Sequence, residues 1–465
     1  MSNDLAKRTV HDLAAELKAR RVSPVDLVGA CLAQIGRHES KLQAFVEVYD
    51  KEARLAAEAA DKAIRAGHAV GPLHGIPIAL KDLIEIEGRI ATGGSAFWRD
   101  RRSTRTATLA QKLISAGMIV IGKTHTVEFA FGGWGTNQHL GTPWNPWNAE
   151  TPYTPGGSSN GSGVAVAARM VPCALGTDTG GSVRVPAAWC GITGLKTTIG
   201  RISTYGVLPL SPTLDTPGPI TRSVEDAAIL LKVMQGADPR DPRTLALRDV
   251  DPMPSLRRGV KGLRLGRMPV SERADVAAEV LAAYDVSLDQ LAKMGAEIVD
   301  MKLPRSFRDY GATSGRIMSA EAYALLGRIV DDNSNPLDEA VRPRVRGGAA
   351  ISSREYLQVL AEREQLKLEY GAATEHIDAL LAPVALTPPI PLSAVDQNTT
   401  PAFLTRWVNF LDLCSLALPN GFTPTGLPLS MQIVCSGGNE AMCLRVGWAW
   451  QNATDWHTHI PPLVK

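Results

Sequence analysis

Thr154-Pro155-Gly156-Gly157-Ser158-Ser159-Asn160-Gly161-Ser162-Gly163 is followed a short way downstream by Gly176-Thr177-Asp178-Thr179-Gly180-Gly181-Ser182-Val183-Arg184-Val185-Pro186. Both stretches read as small-residue loops with exposed hydroxyls, each beside an apolar segment of helical character. Such loops fill a core poorly, because each glycine loses much backbone entropy on folding and brings no side chain to pack. They offer instead close backbone approach, free N–H groups and serine hydroxyls. On that ground Ser182 is read as a nucleophile and the loops around it as its electrostatic cradle.

Upstream, Ile76 to Leu80 is a short apolar run bounded by turn residues, which predicts a buried strand closed by Lys81. Ligands bind at the C-terminal ends of strands in open α/β sheets. A lysine there is buried only when paired or useful, and the bland alternative is that it snorkels to the surface. Helices are expected over Thr9 to Arg20, from Val25 to Ile35 behind a Ser23-Pro24 start, and from Asp50 to Arg65. Met118 to Ile121 reads as another strand, and Gly194 to Ser223 as turn-rich. Strands at Leu263 to Leu265 and Glu297 to Met301, with a helix from Ala274 to Met294 between them, continue the alternation. Ile377 to Ala382 reads as a strand, Ser415 to Pro419 and Leu427 to Val434 as a strand–loop–strand unit, and Glu440 to Ala453 as the last helix. The expected fold is α/β: one large domain over residues 1–465, with a central mixed twisted sheet covered on both faces by helices. Within it, 1–70 supplies N-terminal helices, 71–225 the core, 306–375 a helical flank or lid, and 376–465 the closing strands and helix.

The bulk composition narrows the function. Of 465 residues 45% are apolar and 21% charged, so the chain can bury a sizeable core. Lys+Arg 49 against Asp+Glu 47 argues against nucleic-acid binding through a basic surface. The local clusters Arg101, Arg102, Arg105 and Arg342, Arg344, Arg346 read as solvated faces. Six scattered cysteines form no C-x-x-C pair and no zinc-ligand spacing, which fits a reducing compartment. No apolar leader precedes Arg8 and no run is long enough to span a bilayer, so a cytoplasmic location and no membrane partner are expected.

A serine nucleophile needs a base. Nine histidines leave a Ser-His-Asp arrangement open by count. The G-x-S-x-G match at Gly157 to Gly161 requires a strand-to-helix elbow, and Pro152 and Pro155 before it cannot belong to a central strand. Neither loop ends in the Gly-Lys-Ser/Thr of a phosphate cradle.

The motifs together resemble the amidase signature family. They are Gly75-Ile-Pro-Ile-Ala-Leu-Lys81-Asp82, Pro155-Gly-Gly-Ser158-Ser159, Gly176 to Pro186 and Gly191-Ile-Thr-Gly-Leu-Lys196, with Gly426 to Gln432 and Ala453 to Trp456 near the C-terminus. The resemblance spans almost the whole chain and implies a Ser-Ser-Lys triad. Ser182 matches its nucleophile, Ser158 its bridging serine, and Lys81 its base. The backbone N–H groups of Thr179, Gly180, Gly181 and Ser182 match its oxyanion hole. The peptide before the bridging serine is cis in that family. Asn160 departs from the glycine often found there, and its tolerance of left-handed backbone angles makes the change mild. No metal and no organic cofactor is required. Asp178, Arg184, His74 and Asp82 read as structural partners in the core.

The implied activity is hydrolysis of a small-molecule carboxylic amide through a Ser182 acyl-enzyme. Phe131, Trp134 and Trp144 suggest an aryl or anilide substrate, and Phe131, Gly132 and Gly133 are the expected pocket wall. The family also contains hydrolases of carbamates, esters and urea derivatives, and the glutaminase subunit of a tRNA amidotransferase. Where an acid would grip the glutamine amine, the chain carries Thr405 and Arg406. An inactive binding member is the alternative from another class, and a homodimer is compatible with the family.

Overall fold

Eleven strands join into one mixed sheet in the computed structural model, which describes residues 5–465. In chain order they are β1 Phe45–Val48, β2 Pro77–Lys81, β3 Ile119–Thr124, β4 Cys173–Asp178, β5 Thr193–Lys196, β6 Thr216–Thr221, β7 Arg264–Arg267, β8 Glu297–Asp300, β9 Ala379–Pro383, β10 Cys414–Phe422 and β11 Pro428–Cys435. Across the sheet they run β1-β3-β2-β4-β6-β5-β10-β11-β9-β7-β8. Parallel pairs at β3-β2-β4 and at β9-β7-β8 flank an antiparallel centre. Strands β2, β4, β6 and β11 are buried at every residue. Both faces of the sheet are therefore covered, which matches the unbroken apolar run Pro77 to Leu80 of β2.

The helices follow local signals. Ser23 caps Pro24–Leu42 through a reciprocal capping box with Asp26, and proline occupies the first turn. Asp50–Arg65 and Glu440–Ala453 have the expected bounds. Asn160–Ala167 is buried all round, as a helix apolar on every face must be. Asn160 takes no left-handed angle; it opens this helix and donates from Nδ2 to the Gly135 carbonyl at 2.7 Å. Residues 306–375 form Phe307–Asp331, Val341–Arg346 and Ser353–Thr374.

Two readings need correction. Gly194 to Ser223 is not merely turn-rich but holds parts of β5 and all of β6. Pro217 and Pro219 argue against a strand with two neighbours. They are tolerated because β5 pairs only with Ile220 and Thr221, beyond the prolines, while β4 alone lines the proline stretch. The second serine loop is also shorter than expected, since Gly176, Thr177 and Asp178 end β4 and the loop begins at Thr179. All six cysteines are buried thiols. Among the described residues no helix is long and apolar enough to cross a membrane.

Candidate active site

Lys81 is the last residue of β2 and is fully buried, so it does not snorkel. The parallel register Leu80↔Leu175 sets its end beside the end of β4. Its Nζ donates to Ser158 Oγ and to Thr177 Oγ1, each at 2.8 Å. Burial pulls its pKa from 10.5 down to about 7, against the opposing pull of Asp215 and Asp178. Sequence reasoning misses Thr177, because its role exists only once β2 and β4 pair.

Ser158 is fully buried and follows a cis Gly157–Ser158 peptide. Gly157 donates its N–H to the Gly133 carbonyl at 2.7 Å, and a side chain at Gly157 would start 2.8 Å from the Gly132 carbonyl oxygen. The two serine loops meet through the Ser159 N–H, which donates to the Ser182 carbonyl at 3.3 Å.

The loop Thr179 to Ser182 is shaped from below by Asp178. Its carboxylate accepts the N–H groups of Gly181 at 2.8 Å and Val183 at 3.1 Å, and both Nε and Nη2 of Arg184 at 3.0 Å. Burial alone would raise the Asp178 pKa, but Arg184, Lys196 and Asn409 hold it well below the usual carboxylate range. Arg184 in turn donates to Gln432 Oε1, the Thr405 carbonyl and Asn409 Oδ1. Asp178 and Arg184 thus frame the loop rather than face a ligand. Thr179 Oγ1 donates to Asp215, whose carboxyl burial raises to about 6. Gly181 sits at φ +136°, where a Cβ would lie 2.2 Å from Thr405 Oγ1. Its amide, expected among the free donors, is taken by Asp178. Among the described residues no acceptor takes the amides of Thr179, Gly180 or Ser182.

Ser182 is partly exposed and opens onto a cleft. Phe131, Gly132 and Gly133 line that cleft with Thr179 and Gly180. Trp134 and Trp144 do not line it: Trp134 stacks on Trp189, and Trp144 lies under Lys41. Among the described residues only Phe131 is an aromatic residue of the wall. Among the described residues no histidine lines the cleft either, and the buried His125 is pushed down to about 4 by desolvation. The reading of Arg342, Arg344 and Arg346 as a solvated face fails at Arg344. That residue is half-buried, lines the cleft, and donates to the Phe131 carbonyl at 2.8 Å. Met318 and Arg406 also line it, both lying against Gly180. Among the described residues no group of His, Cys, Asp or Glu is arranged to hold a metal ion.

Comparison with known proteins agrees in kind. The family model described as Amidase matches residues 26–444. An amidase from Pseudomonas putida is 38% identical, over 99% of this chain and 99% of that protein. A glutamyl-tRNA(Gln) amidotransferase subunit of Geobacter metallireducens is 36% identical, over 98% of this chain and 99% of that protein. The solved structure of a bacterial aryl acylamidase of the amidase signature family superposes with a TM-score of 0.88 at 26% identity, covering 98% of each chain.

Proposed function

The chain belongs to the amidase family, and from that premise we propose that it hydrolyses the C–N bond of a small carboxylic amide through an acyl-enzyme on Ser182. The observation that carries this reading is Lys81, buried with its pKa brought to about 7 and its Nζ 2.8 Å from Ser158 Oγ. A lysine near neutrality is a usable base. Neutral Lys81 takes a proton from Ser158, whose hydroxyl donates and accepts at once and draws the proton of Ser182. Ser182 Oγ then attacks the carbonyl carbon. The amides of Thr179, Gly180 and Ser182 supply the donors for the oxyanion, with Gly181 serving to hold the loop's shape through Asp178. Collapse breaks the C–N bond, and the Lys81 ammonium returns its proton through Ser158 to the leaving amine. Water, deprotonated along the same path, attacks the ester and releases the acid.

A panel of amides, anilides, carbamates and esters, turned over by wild type beside Ser182→Ala and Lys81→Ala, tests this. Cleavage of amides lost in both variants supports it; cleavage that survives Ser182→Ala refutes it.

A second reading, a glutaminase component of a tRNA amidotransferase, is favoured by the similarity to the Geobacter protein. Against it stands a cleft whose charged side chains, among the described residues, are Arg344 and Arg406, with no carboxylate to receive an ammonium. Glutaminase activity absent both alone and with candidate partner proteins would close that reading.

A further inference from the structure

Arg344 and Arg406 reach the same cleft from two separate elements, the helix Val341–Arg346 and the helix Arg406–Phe410. Gly180 makes room for the second: a Cβ there would lie 3.2 Å from Arg406 Cγ and 3.9 Å from its Nε. The Arg406 stem therefore runs directly over the loop that carries Ser182.

Among the described residues neither guanidinium forms a contact ion pair, and only the more distant charge of Asp338 is felt at Arg344. Arg344 donates to neutral oxygens, the Phe131 carbonyl at 2.8 Å and the Gln397 carbonyl and Oε1 at 2.6 and 2.9 Å. Among the described residues, the Arg406 side chain has no hydrogen-bond acceptor or ion-pair partner. The acids nearby are engaged elsewhere. Asp338 accepts the backbone N–H groups of Gln138 and Ala340, and Glu321 accepts from Ser211, Thr213 and Tyr356. Burial lowers the pKa of both arginines, Asp338 opposes that at Arg344, and Arg344 lowers that of Arg406 further. Two partly buried cations with no contact ion pair are costly to hold, so their retention beside a reactive serine has a chemical meaning. The near-neutral whole-chain balance, net +2, makes this a local feature and not a general one.

We propose that the amide substrate carries a carboxylate, and that Arg344 and Arg406 bind it in the cleft beside Ser182. Arginine presents a planar fork of donors that matches a carboxylate two bonds at a time. Arg344 already spends donors on the Phe131 and Gln397 oxygens, so it is held in place by the pocket wall. Arg406 has all its donors to give. The same arrangement disfavours a zwitterionic amino-acid amide, since among the described residues no acid lines the cleft to receive its ammonium. This inference rests on the hydrolase reading above and narrows it.

Two matched pairs test it and also locate the charge. Succinamate against butyramide places the carboxylate on the acyl side; N-acetylglycine against N-propylacetamide places it on the amine side. In wild type, one charged amide should exceed its neutral partner in kcat/KM by about 100-fold, the scale of a charge-assisted pair in a partly dry cleft. Arg406→Met should reduce that ratio to a few-fold, and Arg406→Lys should leave it intermediate. Because the Arg406 side chain makes no hydrogen bond or ion pair among the described residues and its charge is held against desolvation, Arg406→Met should melt at or above wild type. Calorimetry on Ser182→Ala gives a readout free of chemistry: the charged member should bind more tightly, and the added Arg406→Met should abolish the difference. Parity within both pairs, or a preference unchanged by Arg406→Met, overturns the proposal. Preferential, Arg406-dependent binding without any amide cleavage would refute the hydrolase reading and leave this one standing. Cleavage of neutral and charged amides at equal rates would do the reverse.

Discussion

Lys81 donates to two hydroxyls, Ser158 and Thr177, from a site with no exposed surface. Its pKa of about 7 lies far below 10.5 because burial penalises the ammonium. In the proposed mechanism the base is neutral Lys81, so kcat/KM should climb as pH rises through about 7 and level off above it, not fall. Lys81→Arg keeps the charge but cannot lose it, and should cost at least about 100- to 10,000-fold in kcat with the rising limb gone; a pH–rate profile checks both. Asp178→Asn should act on stability as well. It leaves Arg184 buried without its partner, a loss of about 3–5 kcal/mol, read as a lowered urea midpoint. At this scale Lys81, Ser158 and Ser182 are legible in the sequence, because strand-end and loop motifs carry them. Thr177, Asp215 and Arg344 are not. Those act through neighbours that lie near only after folding, and Arg344 sits in a basic run indistinguishable from a solvated surface.

The loop Thr179 to Ser182 works as a unit because Asp178 pins its turn and Thr405 Oγ1 donates to the Gly180 carbonyl at 2.6 Å. Gly181→Ala puts a Cβ 2.2 Å from Thr405 Oγ1 at a left-handed φ of +136°. The loop must shift, and misaimed amides should lower kcat by about 100-fold with a smaller change in KM, measured by steady-state kinetics. Gly132→Val acts on the opposite wall. Its Cβ would fall 2.9 Å from Val127 Cγ1 and 3.1 Å from Arg344 Nη1. It should therefore raise KM for bulky acyl groups more than for acetyl amides, and equal effects would remove Gly132 from the pocket wall. Elements with their own punctuation are legible: the Ser23 cap, the Asp50–Arg65 helix and the β10–β11 unit around Asn420 to Gly426. β6 is not, since its prolines contradict a strand until its one-sided pairing is known.

Across the whole molecule the sheet order ties the ends of the chain together. The late strand β10 lies between β5 and β11, and Gln432 of β11 accepts from Arg184 beneath the Ser182 loop. A fragment ending near residue 375 lacks β9, β10 and β11 and should neither unfold cooperatively nor react at Ser182, as denaturation curves and labelling would show. The α/β class and the single mixed sheet are readable from the alternation of short apolar strand segments with helical ones. The strand order is not, because pairs such as Ser415↔Lys196 bring together segments far apart in the chain. The most direct test of the mechanism is to react the intact enzyme with a fluorophosphonate and map the adduct by peptide mass spectrometry. A single adduct on Ser182, forming faster as pH rises through about 7 and not forming in Lys81→Arg, is the predicted result. An adduct on another residue, or one on Ser182 formed equally fast in Lys81→Arg, would contradict it.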